Sequence, residues 1–218
     1  SRVLTMQILF TGVEALSVVA TISLSIGAVI VIQGLSLLPQ FGQGQLIYDI
    51  LIIVITRELG PVLTALIVTA RSGTAIATEL GNMVINHEVE AYTVTGINPI
   101  QHVVVPRFIG VTVSTFLLNL YFNVFGLMGS FVVTQFVNPV ALREYSSGLL
   151  AALSVTDVAS SVVKSLVFGA ITALVATFYG LRVERSSTEI PVAAIRSVGR
   201  GITLLIVADA VITLAYYL

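Results

Sequence analysis

The chain of 218 residues contains no cysteine, no tryptophan and only two histidines. The lack of cysteine excludes a disulfide, a thiolate metal site and a cysteine nucleophile. His87 and His102 are too few and too far apart for a histidine metal cluster, so the sequence predicts no metal site. The net charge of −1 argues against nucleic acid as a partner, because nucleic-acid binding calls for a basic face.

Charge of either sign is also scarce: 10% of the residues are charged, against about 25% in a soluble domain, and 56% are hydrophobic. Apolar stretches of about 20 residues are long enough to cross a membrane. The sequence therefore predicts an all-α integral membrane protein, a single domain of about five transmembrane helices. The predicted spans are residues 15–38, 46–71, 107–137, 158–181 and 201–218, with a short interfacial helix at 1–14 and a turn at 39–45.

A short separate helix is predicted at residues 86–96, between the second and third spans. Asn86 is a suitable N-cap, and Glu88 and Glu90 lie where the helix dipole favours negative charge. Gly96 is a suitable stop, because glycine readily adopts the left-handed conformation that ends many helices.

The arginines of the loops predict the orientation of the chain in the membrane. Loops on the N-terminal side carry Arg2, Arg107, Arg182, Arg185, Arg196 and Arg200, whereas the opposite side carries Arg143 alone. Since arginine and lysine concentrate in cytoplasmic loops, we expect the N-terminus and the short helix in the cytoplasm and the C-terminus outside.

Four charged residues lie inside the predicted spans. At 1.5 Å per residue, Arg57 and Glu58 lie about 13 Å from the outer edge, Lys164 about 10 Å and Asp209 about 13 Å inside their spans. Their formal charges sum to zero, and charges in a membrane usually face one another or a cavity. We therefore expect one neutral cluster linking the second, fourth and fifth spans.

Gly60 and Pro61 follow the Arg57–Glu58 pair directly. In a helix, Pro61 has no N–H for the carbonyl of Arg57, so a helix break is expected beside the charges. Three uses of the cluster stay open: structural ion pairs between helices, a cavity that accepts lipid headgroups, and a proton relay.

Several short motifs carry a resemblance to a known family. They are Arg57-Glu58-Leu59-Gly60-Pro61, Ala70-Arg71-Ser72-Gly73-Thr74-Ala75, Glu79-Leu80-Gly81, Asn98-Pro99 and Pro106-Arg107. In residue type and spacing the chain resembles the MlaE/YrbE permeases, the membrane subunits of ABC transporters that move lipids together with MCE-domain proteins. The match is dense from Arg57 to Arg107 and thinner towards both ends.

The resemblance implies a homodimer, two cytoplasmic ABC ATPases, an MCE-domain protein on the far side, an accessory STAS-domain protein and a phospholipid or related lipid as cargo. It makes the short helix a coupling helix, with Glu88, Glu90 and Tyr92 as contacts to the ATPase. It places the protein in the inner membrane of a cell or, as an alternative, in the inner envelope of a plastid. ATP and magnesium would bind the partner ATPase, because the chain lacks the G-x-x-x-x-G-K-[ST] phosphate loop. No catalytic residue and no cofactor of its own are therefore expected.

Two other functions remain open at this point. One is a secondary transporter driven by ions or protons, with Glu58, Lys164 and Asp209 as the proton relay. The other is a structural subunit that anchors an outer protein ring to the membrane.

Overall fold

A computed structural model describes residues 2–37, 46–184 and 186–218 of the protein. These residues form five long apolar helices and several short ones. Within these residues all regular elements are helical, so the predicted all-α class with five spans is confirmed. The spans are Thr5–Ser36, Leu46–Ile85, Ile100–Val137, Val155–Gly180 and Glu189–Tyr217. The turn predicted at 39–45 lies outside the described residues.

Span one begins earlier than residue 15. Helix α1 (Arg2–Gly12) continues through a 3-10 turn at Val13–Ala15 into α2 (Leu16–Leu37), so the residues predicted as an interfacial helix are continuous with span one. The closest approach of span one to span three depends on glycine, since a Cβ at Gly27 would collide with the Gly126 carbonyl.

Span two is one continuous helical path that contains two π-helical segments. It consists of α3 (Leu46–Leu51), a π-helical segment Ile52–Leu59, α4 (Gly60–Val68), a second π-helical segment Thr69–Gly73 and α5 (Thr74–Ile85).

The helix break predicted at Gly60 and Pro61 is wrong. Backbone angles at Leu59 and Gly60 stay right-handed helical, and the Gly60 N–H donates to the carbonyl of Ile55, five residues back. Pro61 then falls in the first turn of α4, where its missing N–H is tolerated. The π-helical register therefore replaces a break.

A short helix, α6 (Glu88–Val94), lies between spans two and three. Asn86 ends α5 and does not cap α6, which follows His87 in a left-handed conformation with φ of 58°. Gly96 has φ of 78°, and the Ile97 N–H donates to the Tyr92 carbonyl over 2.8 Å, as in a Schellman motif. Glycine thus ends this helix where the sequence predicts.

Spans three to five complete the bundle. Span three is a π-helical turn, Ile100–Val104, followed by α7 (Val105–Val137), and α8 (Leu142–Ala152) packs beside its far end. Span four is α9 (Val155–Gly180) and span five is α10 (Glu189–Tyr217). Span five is the least buried of the five spans. Of the residues in its 18-residue apolar stretch 11% are buried, against 44% in the corresponding stretches of spans two and four. Among the described residues, span five is therefore the span least covered by the rest of the bundle.

Candidate functional site

Lys164 of span four is the centre of a charged triad. Its side chain is 0% exposed, and its Nζ donates to Glu58 Oε2 over 2.5 Å and lies 2.8 Å from Asp209 Oδ1. The Glu58 and Asp209 side chains remain 30% and 25% exposed. The structure thus brings together three of the four predicted residues, one from each of spans two, four and five.

Arg57 lies outside this triad. Its Nε donates to Asp157 Oδ1 over 2.8 Å and its Nη2 donates to the same oxygen, so the expected single cluster of four is instead a triad beside a separate pair. The physical reason is that consecutive helical residues do not face the same direction. Arg57 therefore points away from Glu58 and towards the first turn of α9.

Asp157 is a site residue that was not predicted, because the predicted fourth span, 158–181, starts one residue after it. Its backbone N–H donates to Ser154 Oγ, and its own Oδ2 accepts from the Ser154 N–H over 3.1 Å. This reciprocal capping box begins α9 and holds the carboxylate in place for Arg57. The Ser-x-x-Asp spacing was the available signal.

Two tyrosines at the end of span five cover the Arg57 guanidinium, and these residues were also missed. Nη1 donates to the Tyr217 hydroxyl over 2.7 Å and Nη2 to the Tyr216 hydroxyl over 3.2 Å. The guanidinium carbon lies 4.4 Å from the centre of the Tyr216 ring, a cation–π distance. Their only sequence signal was a pair of aromatic residues at a membrane edge.

Gly60 allows spans two and three to meet beside the charged residues. A Cβ there would lie 2.6 Å from the Ile55 carbonyl oxygen, 2.7 Å from Asn123 Oδ1 and 2.9 Å from Asn119 Oδ1. Asn119 is fully buried and donates to Ser161 Oγ over 2.9 Å, which also ties span three to span four. Glycine is therefore required by close packing at this position.

The residues predicted to contact an ATPase differ in orientation. Glu88 and Glu90 are exposed on α6, and Glu90 Oε2 lies 3.0 Å from His87 Nδ1. Tyr92 is half-buried and packs against His102, with ring centres 5.4 Å apart. The two carboxylates are thus available at the surface, whereas the tyrosine helps to fix α6 to the start of span three.

An ion pair between a buried arginine and an exposed glutamate links spans two and three near α6. Arg107 is only 4% exposed, lies 2.7 Å from Glu79 Oε1 and donates to the Val103 carbonyl over 3.0 Å. Arg107, which the sequence analysis counted among the loop arginines, lies inside α7. Glu79 and Arg107 line a cavity of about 380 Å³ together with Glu88 and Tyr92.

Comparison of the sequence with known proteins identifies the family of the chain. The family model described as "Permease MlaE" matches residues 4–215, nearly the whole chain. The chain belongs to the MlaE permease family. A probable ABC transporter permease protein of Rickettsia typhi is 30% identical over 207 residues, covering 95% of this chain and 80% of that protein.

Two further relatives of this MlaE family permease have informative names. The intermembrane phospholipid transport system permease protein MlaE of Haemophilus influenzae is 26% identical, covering 93% of this chain and 78% of that protein. The chloroplast protein trigalactosyldiacylglycerol 1 of Arabidopsis thaliana is 26% identical, covering 95% of this chain and 59% of that protein. As an ABC transporter permease, the chain is a multi-pass membrane component of such a transporter.

Proposed function

We propose that two copies of this MlaE family permease form the membrane channel of an ATP-driven transporter, which moves phospholipids between the membrane and an MCE-domain partner. ATP hydrolysis takes place on a separate cytoplasmic ABC ATPase, and a STAS-domain protein accompanies it. The family match supports the ABC class, and the names of the relatives support phospholipid as cargo.

The charged triad is the observation that carries this proposal. Glu58 and Asp209 are 30% and 25% exposed on a face formed by spans two and five. On an isolated chain that face would meet hydrocarbon, where partly exposed carboxylates are costly. A second copy packed around this face would enclose the carboxylates in a wet cavity between the two permeases. The small buried fraction of span five supports the same arrangement.

Apolar side chains near the triad suit lipid tails. Ile53 of span two and Val207 and Val211 of span five are exposed large hydrophobic residues close in sequence to the triad carboxylates. In the proposed dimer these side chains supply walls for acyl chains, and the triad lies near the headgroup. Span one contributes further apolar wall.

The arginine distribution supports a cytoplasmic N-terminus and a cytoplasmic α6 in the inner membrane. The chloroplast relative keeps the plastid inner envelope as the alternative location. In this orientation Glu88 and Glu90 face the ATPase from an exposed helix that follows span two. We propose α6 as the coupling helix, through which closure of the ATPases changes the cavity.

The coupling role is tested by reversing both exposed charges of α6. Permease carrying Glu88→Lys and Glu90→Lys is reconstituted with its ATPase and MCE partners, and ATP hydrolysis and transfer of labelled phospholipid are measured together. We expect hydrolysis to continue while ATP-dependent transfer falls to the level without ATP. Glu144→Lys, an exposed carboxylate on α8, is the matched control and should transfer lipid normally. Normal coupling in the double variant would exclude α6 as the docking element.

A proton-driven transporter remains the second candidate, because one observation favours it. Lys164 is held between two carboxylates, as in a proton relay. Purified permease alone in vesicles, given a proton gradient without ATP, separates the two candidates. Lipid movement under the gradient alone would favour the relay, whereas movement only with ATP and the ATPase supports the ABC mechanism.

A further inference from the structure

We infer that the charged site selects phospholipids whose headgroup carries an ammonium, such as phosphatidylethanolamine, over anionic phospholipids such as phosphatidylglycerol. This inference rests on the proposed function, because it assumes that lipid headgroups reach the cavity beside the triad. It adds the class of headgroup, which follows from the charges and from the hydrogen-bond donors that remain available.

The triad and the neighbouring Arg57–Asp157 pair, together called the ionic network, contain more carboxylates than cations. Arg57 and Lys164 contribute two positive charges, while Glu58, Asp157 and Asp209 contribute three negative ones, so the formal sum is −1. Among the described residues, no further ion pair joins these five groups. A headgroup that arrives here meets an excess of negative charge.

Both cations are already engaged. The Arg57 guanidinium donates through all three nitrogens, to Asp157, Tyr216 and Tyr217, and its side chain is only 11% exposed. Lys164 is fully buried between its two carboxylates. Four of the five guanidinium N–H groups of Arg57 are therefore in use, and a lipid phosphate would have to displace these partners to bind Arg57 through two hydrogen bonds or to reach Lys164.

The carboxylates, in contrast, keep capacity to accept hydrogen bonds. An ionised carboxylate has about four lone-pair positions, and one lysine ammonium has only three protons to share between two carboxylates. Glu58 and Asp209 are also the most exposed members of the network. The accessible groups are therefore acceptors, which suit a primary ammonium and repel a second anion.

The test measures which lipids the permease retains from a defined mixture. The intact transporter complex is placed in vesicles of equal parts phosphatidylethanolamine and phosphatidylglycerol, extracted gently, and its bound lipids are quantified by mass spectrometry. We expect roughly tenfold enrichment of phosphatidylethanolamine, as one charge-assisted hydrogen bond supplies about that ratio. Asp209→Asn and Glu58→Gln each remove the excess negative charge and should reduce the enrichment severalfold.

The matched control is Asp49→Asn, an exposed carboxylate at the start of span two outside the network, which should keep the enrichment of the wild type. This inference would be overturned if the complex retained lipid without headgroup preference, or if the preference were unchanged in both site variants. Neither result would contradict the proposed lipid transport. A complex that retains no lipid and transports none with ATP would instead overturn the proposed function. If free ethanolamine binds the detergent-purified complex as tightly as the lipid, the site takes a soluble amine and the lipid assignment is wrong.

Discussion

Replacing Lys164 by methionine should be the most damaging single change in the charged site. Lys164 is the only lysine of the chain and is fully buried, and its loss leaves Glu58 and Asp209 side by side without a cation. Breaking a buried ion pair by removing one partner costs about 3–5 kcal/mol. Because both carboxylates are a quarter or more exposed, we expect the lower end, about 3 kcal/mol.

A double-mutant cycle gives this prediction its sharpest form. Asp209→Asn alone leaves Lys164 paired with Glu58 and should cost about 1 kcal/mol. Lys164→Met combined with Asp209→Asn leaves one carboxylate rather than two and should cost less than Lys164→Met alone. If the losses of the two single variants simply add, the two side chains do not interact and the triad is wrong.

Thermal unfolding of the detergent-solubilised permease, followed by size-exclusion chromatography after heating, provides the assay. For a chain of this size about 1 kcal/mol shifts Tm by about 2–4 °C, so Lys164→Met should lower Tm by about 6–12 °C. The double variant should recover several degrees of that loss. A fall of less than about 2 °C for Lys164→Met would refute the argument from burial.

Three further changes test the packing and the buried pairs by the same assay. Gly60→Ala places a Cβ 2.6 Å from a backbone carbonyl and should cost about 1–3 kcal/mol, whereas Gly199→Ala, with open space around it, should be neutral or stabilising. Arg107→Met removes a buried guanidinium and its hydrogen bond to the Val103 carbonyl and should cost about 1.5–2 kcal/mol, since Glu79 is 59% exposed, while Arg71→Met, from a side chain that is 33% exposed, should cost under about 1 kcal/mol. Ser154→Ala removes the capping box of α9 and should cost about 1 kcal/mol, and a loss no greater than experimental error would contradict the role of this cap. Equal losses for the two glycine variants, or for the two arginine variants, would likewise contradict the packing described.

The convergence of Glu58, Lys164 and Asp209 could be predicted from the sequence, because each lies at a similar depth in an apolar helix and hydrocarbon leaves a charge few other partners. The divergence of Arg57 from Glu58 also follows from their being consecutive in a helix, but the partner that Arg57 meets could not be predicted. Depth along a helix says how far a residue is from the membrane edge, but not which way it points around the axis. That direction depends on the π-helical register of Ile52–Leu59, and a one-residue shift in hydrogen bonding has no local sequence signal.

The same limit explains the other corrections. Asp157 was read as the end of a hydrophobic stretch, although its cap with Ser154 places it inside the helical bundle. Arg107 was counted among the loop arginines, although its own side chain is buried and pairs with Glu79 of a neighbouring span. In both cases hydropathy located the residue along the chain, and only the packing of distant helices could identify its partner.

The length of span two has a mechanical consequence. From Glu58 to Ile85 the chain stays helical through 27 steps, a rod of about 40 Å, longer than the hydrocarbon layer of about 30 Å. A tilt of about 5° around the triad would displace the far tip of such a rod by about 3.5 Å. Span two can thus act as a lever, in which a small displacement of α6 beyond one end becomes a small rotation of the ionic groups at the other.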